Sequence, residues 1–127
     1  MGITFLEAIS TWGRAMETKN LTDFELMLDD GFEWISMNSQ STMSRADVIS
    51  WVRHTKMKIG NYKTLHDGES VICGTHSVFE SGRDETIVMC VIVLGENRTK
   101  VKRWSITRAN FYQNQQANTN PELGYFL

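Results

Sequence analysis

Apolar residues along the first third of the chain return at helical spacing. Phe5, Ile9, Trp12 and Met16 are separated by four, three and four positions, which places them on one stripe of a helix reaching to about Lys19. Its start signal is Thr4-Phe5-Leu6-Glu7, a capping box in which the threonine oxygen accepts from the third helical amide and the glutamate reaches back to the cap amide. A second box, Thr22-Asp23-Phe24-Glu25, predicts a short helix with Phe24, Met27 and Leu28 turned inward and Asp29-Asp30-Gly31 as its stop. Ser44-Arg45-Ala46-Asp47 is a weaker box, because aspartate reaches less far than glutamate. The helix it opens carries Val48, Trp51, Val52 and Thr55 on one face, with Arg45, Arg53 and Lys56 toward solvent.

The rest of the chain reads as strand. Phe32 to Met37 predicts a short strand ahead of the third helix, and four more follow it over about 60–66, 70–80, 85–94 and 99–112. His66-Asp67-Gly68-Glu69, Ser81-Gly82-Arg83-Asp84 and Gly95-Glu96-Asn97-Arg98 supply the turns between them, so an antiparallel meander is expected. Gln113 to Leu127, rich in Asn and Gln and broken by Pro121, reads as a loosely held tail that Leu123, Tyr125 and Phe126 would dock.

One strand is unusual. Ile87-Val88-Met89-Cys90-Val91-Ile92-Val93-Leu94 is apolar on both faces, whereas a sheet with one wet face alternates. Three helices cover one face of such a sheet, so the economical cover for the other is a second copy across a two-fold axis. A homodimer through the outer sheet face is therefore expected, with Val88, Cys90 and Ile92 at the contact. In the last strand Arg103, Ser105 and Thr107 share one face, and Trp104 and Ile106 the other, toward the helices.

Composition narrows the classes. At 127 residues and 41% apolar content, one domain over 1–127 with a core of about 3–112 is expected, large enough to bury a core without disulfides or metal. A net charge of −2 excludes a generally basic nucleic-acid binder. Acids gather early (Glu7, Glu17, Asp23, Glu25, Asp29, Asp30, Glu33) and bases late (Arg98, Lys100, Lys102, Arg103, Arg108), the latter alternating between strand faces rather than forming one patch. No run approaches the roughly 18 apolar residues of a membrane span, and no basic leader precedes the first helix, so no membrane partner and a cytoplasmic location are expected. Cys73 and Cys90 read as free thiols. No paired-cysteine or His-x-x-x-His spacing points to a metal, and no cofactor is indicated.

Helix, short helix, strand, helix and long meander, together with Asp29-Asp30-Gly31-Phe32-Glu33-Trp34-Ile35-Ser36 and Ser44-Arg45-Ala46-Asp47-Val48-Ile49-Ser50-Trp51, resemble the nuclear transport factor 2-like superfamily and its SnoaL-like members over about residues 3–112. The resemblance implies a cystatin-like α+β fold, in which a cone-shaped, curved antiparallel sheet packs on three N-terminal helices. It also implies an apolar pocket inside the cone. By strand parity that pocket would be lined by Trp12, Met16, Trp34 or Ile35, Cys73, Thr75, Ser77, Phe79, Met89, Val91, Trp104 and Ile106, with Trp51 adding a fourth indole.

Ketosteroid-isomerase chemistry, which the same superfamily includes, needs a carboxylate base and two buried donors around an enolate oxygen. The corresponding positions fall at Ile35 or Ser36, at Trp12 and near Val91, where no side chain suits. His76 is a candidate acid or base, expected on the dimer side if Thr75 and Ser77 face the pocket; a one-residue slip reverses that. Glu33 would point inward if its strand keeps the family's register. No Gly-x-Ser-x-Gly elbow or glycine-rich phosphate loop occurs. Three readings follow: binding of a small apolar or amphipathic molecule, a SnoaL-like isomerase, cyclase or hydratase using His76 or Glu33, and a homo-oligomeric assembly module.

Overall fold

The computed structural model describes residues 2–109; the expected end of the last strand at 110–112 and the tail at 113–127 lie outside them. The elements are α1 (Phe5–Thr18), α2 (Thr22–Met27), β1 (Leu28–Ser36), β2 (Ser41–Ser44), α3 (Arg45–His54), β3 (Lys58–Asp67), β4 (Val71–Phe79), β5 (Thr86–Leu94) and β6 (Val101–Arg108). The six strands form one sheet in the order β2-β1-β6-β5-β4-β3. The helices fill its concave side, and the fold is α+β.

Local chemistry explains the helix ends. Thr4 Oγ1 accepts from Glu7 N–H (3.1 Å) and Glu7 Oε1 accepts from Thr4 N–H (2.9 Å), closing the first capping box. A long-range cap adds to it, because Phe5 N–H donates to Asp67 Oδ1 at 2.7 Å and so pins α1 to the end of β3. The box expected at Thr22 does not form. Thr22 is already helical, Leu21 caps without a side-chain bond, and Thr22 N–H is held by Asn20 Oδ1 instead. Neither α1 nor α2 has a base in its last turn, and distant cations supply what is missing elsewhere in the fold. Arg45 and Lys100 donate to the Glu25 and Leu26 carbonyls at the end of α2, and Lys19 donates to the Val52 and Thr55 carbonyls at the end of α3.

The sheet departs from a simple meander in three ways. Strand β6 pairs antiparallel with β5 but parallel with β1, because the chain passes through α3 from one sheet edge to the other and returns strand by strand. Strand β1 starts at Leu28, which sequence pattern puts in the second helix, and Asp29-Asp30-Gly31 is a bulge inside it rather than a helix stop. Five steps along β1, Leu28 to Glu33, match two along β6, Val101 to Arg103, and Asp29 Oδ2 accepts from Gly31 N–H to hold the excess loop. The short edge strand β2 was not foreseen. Further register shifts lie between Gly60 and Lys63, between Thr64 and His66, and between Val93 and Leu94; each bends its strand, and together they curve the sheet around α1.

Gly74 marks where helix and sheet come closest. A Cβ there would overlap the Phe5 ring and the Lys63 carbonyl, so the backbone of β4 is part of the surface on which Phe5 rests. Gly74→Ala is expected to lower unfolding stability by about 3 kcal/mol, the upper range for overpacking, read as a shift in denaturant midpoint at unchanged slope. Asp67→Ala, which removes only the cap, is expected to cost about 1 kcal/mol in the same assay.

Candidate functional site

Four indoles meet inside the cone. Trp34 on β1 and Trp104 on β6 are register partners, and their rings stack at 5.3 Å with 21° between planes. Trp12 of α1 comes down on them edge-on, 5.0 Å from Trp34 and 5.4 Å from Trp104. It also touches Trp51 of α3 at 6.4 Å and the imidazole of His76 at 5.4 Å. Trp12, Trp34 and Trp104 are closed to solvent, whereas Trp51 is half-buried. Met16 and Ile106 are buried in the same core.

The inner wall of the sheet follows from register. Trp34, Trp104, Ile92 and Ile72 form one row; Ser36, Ile106, Cys90 and Gly74 form the next; Arg108, Val88 and His76 form a third. Parity in β4 and β5 is thus the reverse of that expected. Val88, Cys90 and Ile92, assigned from sequence to a dimer contact, are fully buried under the helices. Cys73, Thr75, Ser77, Met89 and Val91, assigned to the pocket, stand on the outer face, where Cys73 faces Val91, Thr75 faces Met89 and Ser77 faces Ile87. Phe79 shares that outer face and is exposed. Ile35, offered as the alternative to Trp34, is on the outer side beside Ser105.

The acid–base candidates separate. His76 lies in the cone rather than on the outer face, 1% exposed. Glu33 is on the outer face, half exposed and 3.7 Å from Arg103, so it does not point inward. Arg108, also on the inner wall, donates to Glu80 Oε1 at 2.5 Å and to Thr86 Oγ1 at 3.0 Å. Sequence reasoning did not select Ser36 as a wall residue with chemistry of its own, nor Arg108. The available signal was Gly74, since a glycine inside a strand marks the face that another element approaches, and it shares parity with His76.

Polar atoms on this wall are left without partners. Trp12 Nε1, Ser36 Oγ and His76 Nε2 are buried and make no hydrogen bond, where burial of each such group costs about 1–3 kcal/mol. His76 Nδ1 lies 3.1 Å from the Ser77 carbonyl; a carbonyl only accepts, so Nδ1 carries the proton and Nε2 the lone pair. Burial, reinforced by the Arg108 cation, pulls the His76 pKa down to about 4, while the Ser77 carbonyl opposes them. Burial pushes the Cys90 thiol up to about 12, with the Trp104 indole acting weakly the other way, so Cys90 is not a nucleophile.

Among the described residues no group of three His, Cys, Asp or Glu could hold a metal ion, and no helix is long and apolar enough to cross a membrane. An open cleft of about 570 Å³ between β1, β2 and the start of α3, lined by Asp30, Glu33, Thr42, Ser44 and Arg45 among others, lies outside the indole cluster.

The buried imidazole makes stability depend on pH. An unfolded chain takes up a proton on His76 near 6.5, the folded one only near 4, so stability is complete above about pH 6.5 and falls as pH drops toward 4. The expected loss reaches about 3 kcal/mol, measured as the unfolding free energy across that range. His76→Leu should flatten this part of the profile.

No protein-family model matches the sequence, and no curated protein matches it. Solved structures do match in fold. A nuclear transport factor 2-like protein of unknown function from Cytophaga hutchinsonii superposes with a TM-score of 0.67 at 13% identity, over 86% of this chain and 93% of that one. An LEH-like epoxide hydrolase from M. tuberculosis gives 0.60 at 11%, over 80% of each chain. A de novo designed protein with a curved β-sheet gives 0.61 at 13%, over 85% of this chain and 87% of that one. At such identities the likeness is one of fold, which a designed protein shares with an enzyme. The fold of this chain is the nuclear transport factor 2-like one, three helices laid into an open, curved six-stranded sheet.

Proposed function

We propose that the protein binds a small, largely apolar molecule inside its cone. Trp12, Trp34, Trp51, Trp104, Met16 and Ile106 would form its apolar surroundings, and His76 and Ser36 its polar contacts. The observation that carries this reading is the coincidence of an aromatic wall with four buried, unpartnered polar atoms, Trp12 Nε1, Trp104 Nε1, Ser36 Oγ and His76 Nε2. A core selected for packing alone replaces or satisfies such groups, whereas binding sites pair apolar walls with a few aimed polar atoms. Entry is past Trp51, the half-buried member of the four. Binding is favoured over acid–base turnover because Glu33, one of the two acid–base candidates, is on the outer side of the sheet, and His76, the other, has no carboxylate or thiol within hydrogen-bond distance among the described residues.

A second copy of the chain is proposed to cover the outer face. The support is an apolar surface on β4 and β5, with Val71, Phe79, Ile87, Met89 and Val91 each at least about a third exposed in the single chain. Its centre is β4 and β5 rather than a sheet edge, and such a patch is self-complementary under a two-fold axis.

Native mass spectrometry of the purified full chain, first under mild and then under denaturing conditions, tests both. A dimer carrying an adduct that is released on denaturation is expected. Trp51→Ala should weaken retention of that adduct roughly tenfold with little change in Tm, and Val91→Asp should give monomers that still bind. A protein with no adduct, whose tryptophan fluorescence no small aromatic compound perturbs, would remove the binding proposal; a wild-type monomer at micromolar concentration would remove the dimer.

A further inference from the structure

We propose that Asp30-Gly31 is a site of spontaneous backbone modification, where the chain converts to an isoaspartyl linkage, and that the fold withholds the same reaction from Asp67-Gly68. These are the two Asp-Gly dipeptides of the sequence, which has no Asn-Gly. A glycine, lacking Cβ, leaves its own amide nitrogen unhindered, so both share the local chemistry. The Gly31 nitrogen attacks Asp30 Cγ, an N–Cγ bond forms, and the carboxyl oxygen leaves as water with the amide proton. Water then opens the cyclic imide at either carbonyl. Opening at the α-carbonyl leaves the chain running through Cγ, with a carboxylate directly on Cα.

Two requirements separate the sites. The carboxyl must be free to turn onto the nitrogen, and the amide proton needs somewhere to go. Asp30 and Gly31 are both exposed, and among the described residues the Asp30 carboxyl makes no hydrogen bond or ion pair. The Gly31 N–H donates to Asp29 Oδ2 at 3.0 Å, and a carboxylate there can take the proton as a base. At the other dipeptide Asp67 Oδ1 is held by Phe5 N–H at 2.7 Å. Gly68 N–H is bonded to the Val71 carbonyl at 2.9 Å, which accepts a hydrogen bond but takes no proton. The His66 imidazole lies against Gly68, yet the N–H is committed to Val71. The consequences differ as well. Between Leu28 and Glu33 five steps of β1 match two of β6, so the bulge has slack for an extra backbone atom and the pairing of Trp34 with Trp104 is kept. An isoaspartyl linkage at Asp67 would instead displace the cap of α1. Asp30 and Gly31 line the open cleft of about 570 Å³ beside the start of α3, so the modification repositions a carboxylate at that cleft.

Full-length protein aged in warm buffer near neutral pH, folded or in urea, tests the assignment. Isoaspartate is quantified by methyl transfer from protein L-isoaspartyl methyltransferase and located by peptide fragmentation. In the folded protein it is expected at position 30 and not at position 67, and in urea at both. Position 30 should convert faster folded than in urea, where Asp29 is no longer held on the Gly31 N–H. Asp29→Asn, which keeps an acceptor but no base, should slow it about tenfold, part of what a positioned base contributes. Asp30→Glu, whose carboxyl would close a larger ring, should abolish it. The aged, folded wild type should keep the Tm and near-ultraviolet dichroism of the fresh protein. Conversion at position 67 matching that at position 30 in the folded protein, conversion at position 30 slower than in urea, or an unchanged rate in folded Asp29→Asn overturns the proposal. If Asp29→Asn does not fold, the comparison of folded with urea-treated wild type decides alone.

Discussion

The position of the Trp12 ring constrains the rest of the molecule. It is the one side chain in edge or tilted contact with Trp34, Trp51, Trp104 and His76 together, so it ties α1 to α3 and to three strands. Aromatic pairs contribute about 0.5–1.5 kcal/mol each beyond the area they bury, and four of them are a sizeable part of the few kcal/mol by which a domain is stable. The neighbouring residue makes this seat possible. At Gly13 an added Cβ would meet the Tyr62 hydroxyl and press on the Ile59 side chain, so the glycine lets α1 settle close onto β3.

Curvature follows from residues that carry no chemistry. A flat sheet would meet α1 along a line; this one bends at bulges near Asp29-Asp30-Gly31, at Gly60 to Lys63 and at Val93 to Leu94 and rises around the helix instead. The bend collects His76, Val88, Arg108 and Ser36 at one end of the inner wall, two of them with buried polar atoms unpaired. On the opposite face the exposed apolar side chains gather on β4 and β5. The inner wall and the outer patch are therefore two results of one geometry.

Much of the architecture was legible in the chain. The capping box at Thr4 and the stripe Phe5, Ile9, Trp12, Met16 located α1, because both are local patterns enforced by hydrogen bonds and helical pitch. The pairing of Trp104 and Ile106 with the helices was also correct. Asp29-Asp30-Gly31 misled, since a helix stop and a bulge ask for the same residues. Strand β2 was invisible because Ser41–Ser44 has no apolar alternation, and its partner β1 organises it.

The face that β4 and β5 turn inward was decided elsewhere. Carrying the pairing of Leu94 with Val101 onward without interruption would set Val91 opposite Trp104 and Met89 opposite Ile106, the arrangement that sequence parity suggests. One extra residue on β6, between Val101 and Arg103, shifts the register, so that Ile92 meets Trp104 and Cys90 meets Ile106. By itself the sequence determined which residues travel together, since a strand's side chains alternate strictly with period two. With both sets apolar on β5, hydrophobicity could not choose between the faces. Only the tertiary structure chose, through a single bulge and the fit of Phe5 against Gly74 and of Trp12 against His76 and the stacked Trp34 and Trp104.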